Sequence, residues 1–122
     1  MNRFALTAGA LMCAVAVAFG AFGAHAIADT VSPARLETWQ TASRYLMFHG
    51  LALLILTSLA INLTVSFKPA VLLMFAGSII FSSALYLLVI LNLSWLGAIA
   101  PIGGVLMISG WITAAAILFK RS

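Results

Sequence analysis

Five residues in the first half of this chain are of types that do chemistry: His25, Glu37, Arg44, Tyr45 and His49. Ionisable groups set among apolar residues are a functional hypothesis by default. Two imidazoles suit a proton relay, or bis-histidine haem ligation if both rings face one cavity. Glu37 and Arg44 stand seven apart, so a helix brings them to one face. Tyr45 and His49 stand four apart and touch on a helix. Helix ends and the first connection bring all five towards one outer level of the bilayer. The plainest reading is structural: the five groups pair with one another and with backbone, tying the first connection to its neighbours. A small-molecule, lipid-headgroup or quinone site, a haem site and a proton relay stand behind it. No acid lies deep in a helix, which weakens the relay.

Other chemistries find no support. Two histidines and the single Cys13, far apart, fit no zinc spacing. No serine–histidine–acid motif, phosphate loop or C-x-x-C pattern is present. No catalytic residue, metal or cofactor is therefore assigned, and the chain reads as a non-enzyme.

The elements that carry these residues follow from composition. Of 122 residues, 65% are hydrophobic and 7% charged, with six Lys or Arg against two acids. A soluble domain is about 45–50% apolar and about 25% charged. A chain this short cannot hide so much apolar surface in one core, so its solvent is mostly lipid. A soluble enzyme, a nucleic-acid binder and a disordered tail are excluded. The net charge of +4 comes from scattered cations, not a basic patch.

Crossing a bilayer core of about 30 Å takes about 20 apolar helical residues. Residues 69–119 contain no charge at all. As one helix they would measure about 75 Å, so they must fold back. Asn92, Ser94, Gly97 and Pro101 mark the turn. The expectation is an all-α integral membrane four-helix bundle, a single transmembrane domain over 1–122 with spans near 4–26, 43–66, 70–91 and 100–119. A short outer amphipathic segment lies between the first two helices, on the membrane surface or as an extension of the second helix. Ser32 caps its start and Pro33 takes the first helical position.

Small residues let membrane helices approach closely. Ala16, Gly20 and Ala24 recur every fourth residue, as do Ala5, Gly9 and Cys13. Gly23 in the first helix, Gly77 in the third, and Gly103, Gly104 and Gly110 in the fourth complete the packing set. An intramolecular seam is preferred over a dimer face. Arg3, Lys68, Lys120 and Arg121 face Arg35 and Arg44 across four spans, which favours both termini in the cytoplasm. Trp39, Tyr45 and Trp95 then fall in an outer aromatic belt. A rival reading takes Ala24-His25-Ala26 as a signal-peptide cleavage site, but the apolar run before it is longer than usual.

Several ordered motifs carry a resemblance: GAFGAHA at 20–26, WQTASRYLMFHGLAL at 39–53, FSSALY at 81–86, PIGG at 101–104 and GW at 110–111. Together they resemble the YgdD/YwdK-like family of small inner-membrane proteins of unknown function. The resemblance implies four transmembrane helices and a bacterial inner (plasma) membrane, with GAFGAHA inside a helix. It carries over no activity, cofactor or catalytic residue. The leading expectation is a structural or accessory membrane protein acting through helix contacts. Its partners would be the lipid bilayer and possibly itself or another membrane protein, with no nucleic acid. The alternatives are a small carrier or channel, and lipid, quinone or haem binding at the outer His25/His49 cluster.

Overall fold

The computed structural model describes residues 1–121, with Arg121 as backbone only. Helix α1 (Asn2–Phe22) runs on into one π-helical turn, Gly23–Ile27. Helices α2 (Pro33–Leu63), α3 (Lys68–Leu91) and α4 (Ala100–Arg121) follow, with a short 3-10 turn at Ser94–Ala98 before α4. All four helices are long and apolar enough to cross a membrane. No strand occurs among the described residues.

The expected outer segment is not a separate element. It forms the first turns of α2, whose 31 residues measure about 46 Å. Ser32 starts the helix as expected, its hydroxyl accepting from the Arg35 N–H at 3.2 Å, and Pro33 fits the first turn. Helices α2 and α3 stop by the same device. Thr64 and Asn92 adopt left-handed backbone, with φ of 56° and 54°. Val65 and Leu93 then donate back to the Ala60 and Leu88 carbonyls, satisfying groups that a helix end leaves open. Asn tolerates this conformation; a β-branched Thr does so at a cost of about 1–2 kcal/mol.

The main contacts are α1 on α2, α2 on α3 and α3 on α4. Helix α1 also meets α3 through Phe4–Phe75 and Phe19–Tyr86. Helix α2 meets α4 through His49 and Trp111. Thus α2 and α3 form the central pair.

Glycine sets the spacing. None of the glycines described has a positive φ, so their role is proximity, not turning. A Cβ on Gly9 would lie 2.7 Å from the Gly50 carbonyl oxygen, and one on Gly103 2.5 Å from that of Gly77. The two seams thus bring backbone against backbone, α1 to α2 and α3 to α4. Gly110 meets Met74, and Gly20 faces Ser43. Two residues expected in this set are not in it. Ala24 is exposed, because the π turn rotates it off the α-helical row it shares with Ala16 and Gly20. Gly104 has nothing within 4 Å of a built Cβ, since it lies one position off the face carrying Gly103, Met107 and Gly110.

This contrast is testable. Gly103→Ala should lower stability in detergent by about 1–3 kcal/mol through overpacking. Gly104→Ala should be neutral or stabilising, because Ala is the better helix former by about 1 kcal/mol. Denaturant titration of the two variants reads the difference, and equal effects would contradict the α3–α4 seam.

Candidate functional site

The polar residues of the first half of α2 form the candidate site. Lipid offers backbone and side-chain polar groups no partner, so each must find one inside the protein. Trp39, one of the most buried side chains at 1% exposure, donates its indole N–H to the Phe19 carbonyl of α1 at 2.6 Å. The rings of Phe19 and Tyr86 pack on its own, at 5.6 and 4.7 Å between centroids.

A π turn follows this bond. The Gly23 N–H still bonds the Phe19 and Gly20 carbonyls; past it the register widens, and the Ala28 N–H bonds the Gly23 carbonyl, five residues back. Gly23 is required at the same place because the Trp39 ring occupies the space of its missing Cβ. The GAFGAHA stretch is therefore a socket for Trp39. The expected interfacial role for Trp39 is corrected: its ring is buried between α1 and α3, because its N–H finds a carbonyl there and needs no headgroup.

Two further bonds join α2 to α3. Ser43 and Tyr86 share a hydroxyl–hydroxyl bond of 2.6 Å, and Ser82 donates to the Ala42 carbonyl at 3.0 Å. A third interaction reaches α4: Trp111 donates its indole N–H to His49 Nε2 at 3.0 Å. The other ring nitrogen of His49, Nδ1, lies 2.8 Å from the Tyr45 carbonyl. A carbonyl only accepts, so Nδ1 carries the proton and Nε2 presents its lone pair to Trp111. Both nitrogens of this neutral ring are thereby occupied. Near the start of α2, Arg35 donates to Ser94 at 3.0 Å, fixing that start to the turn before α4. Interhelical hydrogen bonds thus converge on α2.

The five residues singled out in the sequence divide into three groups. Tyr45 and His49 come together, with stacked rings 6.3 Å apart. Glu37 and Arg44 meet at 3.6 Å with both side chains well exposed, a surface pair that adds little. His25 sits exposed on the π turn, at the end of α1 that packs near Trp39. The expected common outer level is not what the fold produces. Gly50 packs against Gly9 and Cys13, so His49 lies near the level of Cys13, about 18 Å along α1 from His25. Its partner Trp111 occupies the middle of α4. The imidazoles therefore do not face one cavity, and a haem held by both does not fit. Among the described residues no group of three or more His, Cys, Asp or Glu is arranged to hold a metal ion.

Sequence reasoning did not assign the interhelical hydrogen bonds of Ser43, Ser82, Tyr86 and Trp111. A signal existed for Trp111. Trp is expected at membrane interfaces, and one in the middle of a span needs a partner for its N–H.

Fold and site together define a small four-helix integral membrane protein whose polar side chains bind its own helices to one another. The chain belongs to the family described as "Protein of unknown function (DUF423)", which matches residues 19–104. It is similar to the UPF0382 membrane protein of Staphylococcus aureus strain bovine RF122 / ET3-1, at 46% identity over 112 residues, 92% of each chain. The corresponding protein of Staphylococcus epidermidis strain ATCC 12228 is 40% identical over 112 residues, again 92% of each chain. That of Staphylococcus saprophyticus is 39% identical over 112 residues, covering 92% of this chain and 93% of its own. No solved structure matches the chain.

Trp39→Phe keeps an aromatic ring but removes the N–H that ties α2 to the Phe19 carbonyl. It should cost about 1–3 kcal/mol in detergent unfolding, and an unchanged midpoint would remove the bond from the account. For the α2–α4 link, a double-mutant cycle of His49→Ala and Trp111→Phe should give a coupling of about 0.6–1.7 kcal/mol. Strict additivity would mean that the two side chains act independently.

Proposed function

We propose that the chain is a non-enzymatic structural or accessory component of the bacterial plasma membrane, a single transmembrane domain acting through lateral contacts with another membrane protein or with a second copy. The observation that carries this reading is the closure of His49. Its two nitrogens are taken by the Tyr45 carbonyl and by Trp111, so the most buried titratable group of the candidate cluster is spent on holding helices. No described buried side-chain nitrogen or oxygen lacks a partner. The outer polar cluster of His25, Glu37, Arg44, Tyr45 and His49 is on this reading structural.

Apolar faces remain outside. Ile102, Val105, Ile108 and Ile112 form an exposed row along α4, available to lipid or to another helix. The glycine seams are used within the chain, so lateral contact falls to such larger side chains. The motifs that resemble the YgdD/YwdK-like proteins support the bacterial plasma membrane as the location. Arg3, Lys68 and the basic end of α4 on one side, against Arg35 and Arg44 on the other, favour both termini in the cytoplasm.

The test is purification of the full chain in a gentle detergent and in native nanodiscs. A stoichiometric partner or a defined self-oligomer is expected. A strictly monomeric, partnerless chain in both media overturns the reading. Reporter fusions at either end of the chain should report cytoplasmic placement.

A further inference from the structure

Between α1 and α3 the bundle is open. A cleft of about 770 Å³ runs there, with Met12 and Leu46 among its lining residues. Aromatic pairs join the two helices at its ends. Phe4 and Phe75 meet edge to face at 5.2 Å, and Phe19 and Tyr86 at 5.0 Å. Between these aromatic pairs the walls are low, with Thr7 and Ala8 on α1 and Ser82 and Ser83 on α3. The result is a window in the side of the bundle. It measures about 22 Å along α1 and about 16 Å along α3.

The shape selects its occupant. A helix is about 10–12 Å across with its side chains, and one laid along this cleft would collide with the aromatic pairs. A single hydrocarbon chain has no such difficulty, and the window is as long as one bilayer leaflet, about 15 Å of a core of about 30 Å. The lining is almost wholly apolar, with one charged residue, Arg3, at the Phe4 end. Lys68 lines a neighbouring recess at that same end, together with Asn2. It is also the first residue of α3, whose dipole adds positive potential there. Basic sites between transmembrane helices attract anionic headgroups.

We propose that the α1–α3 window binds one acyl chain of an anionic glycerophospholipid, with the phosphate held at the Arg3 end. This goes beyond the accessory role and does not depend on it: lipid in the window stands or falls separately from a protein partner. Ser82 is committed to the Ala42 carbonyl, which leaves the chain-binding surface to the apolar walls. Selectivity between lipids then comes from Arg3, assisted by Lys68.

The full chain is placed in nanodiscs of equimolar phosphatidylglycerol and phosphatidylcholine, then released for native mass spectrometry. A single retained lipid is expected, with phosphatidylglycerol favoured by about tenfold, a difference of about 1.4 kcal/mol. Arg3→Gln should collapse that preference while leaving a lipid bound. Ser83→Phe and Thr7→Leu fill the window from opposite walls, and each should abolish retention. Both residues are exposed, and either variant suffices should the other fail to fold. Equal retention of the two lipids by the unaltered chain, or undiminished retention in a folded window-filling variant, overturns the proposal. So does a dimer that forms in place of lipid binding and is broken by Ser83→Phe.

Discussion

An indole N–H inside a bilayer must have an acceptor, and in this protein the Trp39 N–H finds its acceptor on another helix, at the Phe19 carbonyl. The bond is 2.6 Å long, and much of the half of the bundle nearest the first connection is arranged around it. The bond puts the Trp39 ring against position 23, which demands a glycine there, beside the π turn on which Ala24 and His25 face outward. It also places the Trp39 ring where Phe19 and Tyr86 pack on it. Three helices are thereby held at one point. Leaving the indole N–H unsatisfied in hydrocarbon would cost several kcal/mol, which is why the ring is held so closely.

The remaining contacts divide by kind. Helix α2 makes hydrogen bonds to α1, α3 and α4. Helices α3 and α4 meet through backbone brought close at Gly77 and Gly103. Helices α1 and α3 meet through two aromatic pairs. Hydrogen bonds fix register, because donor and acceptor must be aligned. Close glycine packing fixes distance and gains dispersion. Aromatic pairs at two points leave space between them. The lateral opening is therefore where neither of the stronger devices operates.

Much of this was legible in the residues. Charge scarcity and the uncharged run at 69–119 dictate the number of helices, because lipid admits few alternatives to a spanning helix. Ser32 and Pro33 start α2 where cap chemistry says they should. Gly9, Gly77, Gly103 and Gly110 lie in seams, as small-residue spacing implies. Gly104 and Ala24 do not, because a list of small residues carries no information on which face a neighbour covers, or on where a π turn shifts that face. The site was less legible. The outer grouping of His25 with His49 assumed that α2 crosses the interface near Tyr45. The packing of Gly50 against Gly9 and Cys13 instead carries His49 well down α1. That register depends on a long-range contact between glycines, which no local pattern encodes.

The polar links differ in how much chain must exist before they can close. Trp39 and Phe19 are 20 residues apart, so their bond is available to the first helical hairpin alone. Ser43 and Tyr86 are separated by 43 residues and need the third helix. His49 and Trp111 are separated by 62 and need the fourth. Loop closure and contact order make the nearer pairing the earlier one. The imidazole–indole pair is thus a latch that engages only on a complete bundle. Until α4 arrives, His49 lies at membrane depth with Nε2 unpaired, which gives an unfinished chain a polar mark that the finished one conceals.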